Sequence, residues 1–118
     1  MYSAAVLDHF KNPRNAGELP NASATVEVTN PVCGDIMQLA VRLEGDRMAD
    51  VRFKTRGCVT AIACGSLLTE MLHGKTLAEV RGITAAQISD ALGGLPPATA
   101  HGSQLARDAV EALLAALA

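Results

Sequence analysis

The stretch MQLAVRLEGDRMADVRFKTRGCVTAIACGSLLTEML, residues 37–72, decides the fold. Its first half alternates. Met37, Leu39, Val41 and Leu43 share one side of an extended chain, opposite Gln38, Arg42 and Glu44. Ala49, Val51 and Phe53 then oppose Asp50, Arg52, Lys54 and Arg56. A period of two, apolar on one side and polar on the other, predicts antiparallel strands with one buried face. Glu44-Gly45-Asp46-Arg47 predicts a two-residue hairpin turn with Gly45 first in it. From Val59 to Leu72 the period becomes helical, with Cys64, Leu67, Leu68, Met71 and Leu72 on one stripe and Gly74 ending it.

Working outward, ATVEV at 24–28 gives a third alternating segment, with Ala24, Val26 and Val28 on one face. SAAVLDHF near the start predicts a short helix capped by Ser3, with His9 at an exposed position. Thr76 and Thr84 open two short helices, Leu95-Pro96-Pro97 makes a rigid turn, and a last helix runs from Ser103 to Ala118. His73, just before Gly74, reads as a surface residue favoured by the helix C-terminal dipole. The expected fold is α+β: a three-stranded antiparallel sheet with helices packed on one face, all within a single domain over 1–118.

Composition narrows the function. Of 118 residues, 49% are hydrophobic and only 3% aromatic, so the core is aliphatic. The net charge of −2 offers no basic excess for nucleic acid. No apolar run reaches membrane-spanning length, and charges come too early for a signal peptide. A cytoplasmic protein is expected. Its three cysteines form an odd set without C-x-x-C spacing, so they read as buried thiols, reactive thiols or metal ligands.

Three junctions carry the candidate chemistry. Cys33 and Asp35 lie in NPVCGD between the first two strands, Cys58 where the third strand meets the long helix, and His101 where a loop meets the last helix. Cys58 sits at a helix N-terminus shortly after Lys54 and Arg56, features that favour thiolate. Two thiolates, a carboxylate and an imidazole suit zinc, or an iron–sulfur cluster with incomplete cysteine ligation. Equally, a lone cysteine is often core, Asp after Gly is often a turn residue, and a histidine at a helix start is often only solvated. The spacings match no local zinc signature. Cys64 lies on the apolar stripe, roughly 120° around the helix from Cys58, and reads as core. A Cys58–His101 hydrolase pair lacks any identifiable oxyanion site.

Taken in order, DHFKNPRNAG, NPVCGDIMQLAV, VRFKTRGCVTAIACGSLLTEMLHGKT and LPPATAHGSQLARDA resemble the NifU-like N-terminal domain, the IscU-like iron–sulfur cluster assembly scaffold family. The resemblance runs nearly end to end. It implies a small α+β scaffold, not an enzyme. Such a scaffold receives sulfur from a cysteine desulfurase, builds a [2Fe–2S] cluster with iron and passes it to apo iron–sulfur proteins. Cys33, Asp35, Cys58 and His101 match its ligand positions, and zinc can occupy such a site on isolation. Two departures stand out. Gly102 replaces the cysteine that follows the histidine, and Thr99 replaces a lysine of the segment bound by an Hsp70-type chaperone, which places the chaperone contact in doubt. The absence of a long insertion between Cys58 and His101 looks closer to the IscU-like branch than to its zinc-dependent counterpart. The alternative these departures imply is a degenerate paralogue, binding zinc or no metal and serving as a partner-binding module. On the scaffold reading, Gly102→Cys restores the missing thiol and raises cluster yield or sulfur transfer.

Overall fold

A computed structural model describes residues 2–118. Helix α1 (Ala4–Lys11) is followed by strands β1 (Ala24–Thr29), β2 (Ile36–Glu44) and β3 (Arg47–Arg56). Helices α2 (Val59–Leu72), α3 (Leu77–Arg81), α4 (Ala85–Ala91) and α5 (His101–Leu117) complete the chain, with one 3-10 turn at Pro97–Thr99. The strands form one antiparallel sheet in the order β1-β2-β3, and helices cover one of its faces. The expected α+β architecture is what the chain adopts.

The register explains the alternation. Val26 pairs with Leu39 and Leu39 with Phe53, so apolar side chains line up across all three strands on the helix-covered side. Leu39 and Val41 are fully buried, each worth about 1.5–3 kcal/mol of burial. Glu44 pairs with Arg47 around the Gly45-Asp46 turn, as the hairpin signal requires.

One strand reading is corrected. The pairing slips between Arg42 and Leu43, so that Arg42 faces Asp50 while Leu43 faces Met48. Ala49 is the extra residue of this bulge, and Met48, not Ala49, enters the core at 0% exposure. A bulge shifts the alternation by one residue, which simple period-two counting misses.

Helix α2 is the centre of the molecule. It packs on α1, on β3 and on α5. The expected single stripe is too narrow: Thr60, Ala61, Ala63, Gly65 and Ser66 are buried as well as Cys64, Leu68 and Leu72. Small residues make this possible. A Cβ on Gly65 would stand 2.5 Å from the Phe53 ring, so only glycine lets the helix lie this close to the sheet.

The caps follow the sequence. Ser3 Oγ accepts from the Val6 N–H, and Thr76 and Thr84 each close a reciprocal capping box, with Glu79 and Gln87. His73 is exposed at the end of α2, as expected. The last helix begins two residues earlier than expected, at His101. Among the described residues no helix is long and apolar enough to cross a membrane.

His9 is the second correction. It is only 8% exposed, not a surface position. Its Nδ1 lies 2.8 Å from Ser66 Oγ, and its Nε2 lies 3.5 Å from Glu70 Oε1. Ser66 Oγ also accepts from the Arg14 N–H at 2.8 Å. The Ser66 hydroxyl thus holds both the His9 ring and the Arg14 backbone. The chain ties α1 and the following loop to α2.

Candidate metal centre

The loop between β1 and β2 is built around Asn30. Its side-chain oxygen accepts from the Val32 N–H at 2.9 Å and the Cys33 N–H at 3.4 Å. Gly34, at φ +78°, turns the chain back, and its N–H donates to the Asn30 carbonyl at 2.8 Å. The Asn30 N–H then donates to the Asp35 carbonyl at 2.8 Å and closes the loop. Cys33 is left exposed at the tip, while Asp35 is held at 8% exposure beside β3.

Cys58 caps α2. Its Sγ accepts from the Ala61 N–H at 3.4 Å, and its own N–H donates to Asp35 Oδ2 at 3.4 Å. His101 is the first residue of α5, and its Nε2 lies 3.7 Å from Cys58 Sγ and 3.8 Å from Asp35 Oδ2. Donor atoms of Cys33, Asp35 and His101 all lie within 4.8 Å of one another. Three of the four residues thus converge at one half-buried spot, and Cys58 adjoins it through His101 and Asp35. An open groove of about 500 Å³, lined in part by Asn30, Ala86, Ser89 and Gln104, runs beside His101 and keeps the imidazole reachable.

The electrostatics of Cys58 differ from the expectation. Burial pushes its thiol above the ordinary range, and the neighbouring Asp35 carboxylate pushes it further. The Ala61 and Thr60 N–H groups at the start of α2 oppose this without overcoming it. Lys54 and Arg56 are not among the groups that act on it. Without a metal Cys58 is a neutral thiol, so a cation that takes it as thiolate must displace a proton. The N-termini of α2 and α5 converge here, and their dipoles favour an anionic occupant.

The donor set suits soft and borderline metals: two sulfurs, one imidazole nitrogen and one carboxylate. Cys64 is separate. It is fully buried, and burial raises its thiol to about 12. Gly102 is also buried, against the first turns of α2. A Cβ there would stand 3.1 Å from Thr60 Cγ2, 3.3 Å from Ala61 N and 3.3 Å from Cys64 Sγ. The sequence singles out Cys33, Asp35, Cys58 and His101 as candidates, but not Asn30, whose side chain shapes the Cys33 loop. Asn30 carried a signal, an Asn-Pro pair three residues before the cysteine.

Known proteins agree with this architecture. The model of the NifU-like N-terminal domain matches residues 1–117. The chain is 47% identical over 110 residues to an iron–sulfur cluster assembly scaffold protein IscU of Archaeoglobus fulgidus, covering 93% of this chain and 72% of that protein. It is 44% identical over 118 residues to the scaffold protein IscU of Haemophilus influenzae, covering 97% and 93%. A crystal structure described as a hypothetical protein superimposes with a TM-score of 0.68 at 29% identity, covering 97% of this chain and 94% of the other. By sequence and fold together, this chain belongs to the NifU-like N-terminal domain family.

Proposed function

We propose that this chain is an iron–sulfur cluster assembly scaffold or carrier, a single domain that holds a labile [2Fe–2S] cluster as cargo and passes it to apo-proteins. The observation that carries the reading is the convergence of Cys33, Asp35 and His101 within 4.8 Å, with Cys58 3.7 Å from the same imidazole. Relatives 47% and 44% identical are named as scaffolds for this assembly. The ligands in this reading are Cys33, Asp35, Cys58 and His101. A carboxylate and an imidazole beside two thiolates bind a cluster less firmly than four thiolates would, which suits a cargo that must leave.

The reading gives the chain two partners, a cysteine desulfurase that supplies sulfur and the apo-proteins that take the cluster. It gives no catalytic turnover to the chain itself. Three free cysteines fit the reducing cytoplasm. With Thr99 in the turn before His101, the chaperone contact of the family is weakened or lost.

The test is anaerobic reconstitution with ferrous iron, cysteine and a cysteine desulfurase. A visible cluster spectrum, with iron and acid-labile sulfide in stoichiometric amounts, is expected, and Cys33→Ser should abolish it. Stoichiometric zinc that iron and sulfide do not displace would instead make the chain a degenerate paralogue. A Cys33→Ser variant that behaves like the parent would remove the ligand assignment.

A further inference from the structure

The residue before Cys58 has no side chain, and the Asp35 carboxyl fills the space a side chain would take. A Cβ on Gly57 would lie 2.4 Å from Asp35 Cγ and 2.7 and 2.8 Å from its two oxygens. No such contact is tolerable, and the carboxyl is not a free-swinging group that yields at no cost. Asp35 is 8% exposed, its Oδ2 accepts from the Cys58 N–H at 3.4 Å, and the same oxygen lies 3.8 Å from His101 Nε2. The short side chain of Asp35 has few rotamers with which to escape.

We propose that Gly57 is a positioning residue for Asp35: its bare Cα is the floor on which the carboxylate rests, and it sets how the carboxylate, imidazole and thiols converge. Its φ of +156° also disfavours any side chain, so two costs of substitution must be separated. One is backbone strain, present whatever occupies position 35. The other is the collision with Asp35, which vanishes when that carboxyl is removed. Only the second is the positioning role. The metal-binding half of the proposal rests on the ligand set above, and the steric half does not.

A double-mutant cycle separates them. The full chain, Gly57→Ala, Asp35→Ala and the double variant are compared metal-free and reduced. Thermal unfolding and cobalt(II) titration, followed by thiolate-to-metal charge-transfer and d–d absorption, are the readouts. Gly57→Ala should weaken cobalt binding roughly 10–100-fold, the usual effect of losing a supporting group. The double variant should bind no more weakly than Asp35→Ala alone. The fall in Tm caused by Gly57→Ala should shrink when Asp35 is already alanine, and if Gly57→Ala alone fails to fold, the double variant should recover. Parent-like cobalt binding by Gly57→Ala would overturn the proposal. So would multiplicative effects on cobalt with an equal Tm cost in both backgrounds, or failure of both Gly57 variants to fold. Coupling in Tm in a parent that takes up no cobalt would sustain the positioning role and overturn the ligand set.

Discussion

Cys58 Sγ and His101 Nε2 stand 3.7 Å apart, where the N-terminal ends of α2 and α5 meet. Neither residue is held there by a partner of its own kind; each is the first feature of its helix, and packing of the two helices brings them together. The site is therefore as rigid as the α2–α5 seam, while its outermost donor, Cys33, rides on a loop.

That division predicts unequal effects. His101→Ala should weaken cobalt(II) binding by at least the roughly 10–100-fold that loss of a supporting group costs. It should leave Tm nearly unchanged, since the imidazole is half-buried and fills no core space. Asn30→Ala should also weaken binding, through the loop: Val32 and Cys33 lose the side-chain acceptor that fixes their N–H groups. Parallel cobalt titrations and thermal melts check both.

Cys58 reactivity should respond to Asp35. The carboxylate raises the Cys58 thiol both by charge and by hydrogen bonding, on top of the larger effect of burial. Asp35→Asn removes the charge, so at fixed mildly alkaline pH the thiolate fraction rises and alkylation of Cys58 by iodoacetamide accelerates. Cys33, exposed in the parent, should be labelled first. Cys64, buried with its thiol at about 12, should resist until the chain unfolds. Peptide mapping of the alkylated chain against time reads all three.

Stability should fall in acid through His9. Burial and the nearby Arg14 lower its pKa, and Glu70 and Asp8 oppose them in part. A base that is harder to protonate when folded stabilises the fold above its ordinary value of about 6.5 and loses that contribution as pH falls through the lowered value. Burial is the larger cause: the ring sits at 8% exposure, where the imidazolium would lose its water. His9→Gln keeps a polar partner for Ser66 and cannot titrate, so its Tm should be flat where the parent's drops below about pH 6.5. His9→Ala should cost about 1–3 kcal/mol at neutral pH by removing one of the two partners of the buried Ser66 hydroxyl and leaving it only the Arg14 N–H.

His9 also shows where sequence reading ends. The hairpin at Gly45 and the caps at Ser3, Thr76 and Thr84 were legible because the partners lie within three residues. Cys33, Asp35, Cys58 and His101 stand out in the sequence as residue types at junctions, and the family resemblance joins them as candidates. The burial of His9 leaves no mark in the sequence because its partner Ser66 is 57 residues away. The Cys58 thiol is hidden for the same reason: Lys54 and Arg56 are near in sequence, but burial and Asp35, 23 residues back, are what raise it. Helix α2 was read as one stripe because large residues mark only one side, while Ala61, Ala63 and Ser66 are small enough to be buried on the others.

Gly102 lies in the same seam, and it sharpens what a restored cysteine would do. The Cβ of a residue at 102 would press on Thr60, on the Ala61 backbone and on Cys64 Sγ, all at 3.1–3.3 Å. Gly102→Cys alone should therefore lower stability by about 1–3 kcal/mol, the usual cost of overpacking. Part of that cost lies in a single removable atom. In a Cys64→Ala background the third of these contacts disappears, so Gly102→Cys should cost less there and the added thiol should seat better. Cluster yield should then rise in the double variant above that in either single variant. Tm, with iron and acid-labile sulfide per chain after anaerobic reconstitution, checks both halves. A Gly102→Cys chain as stable as the parent would show that the seam has more room than these contacts allow. Equal yields with and without Cys64 would show that the thiol at 102 is limited by the Thr60 and Ala61 side of the seam.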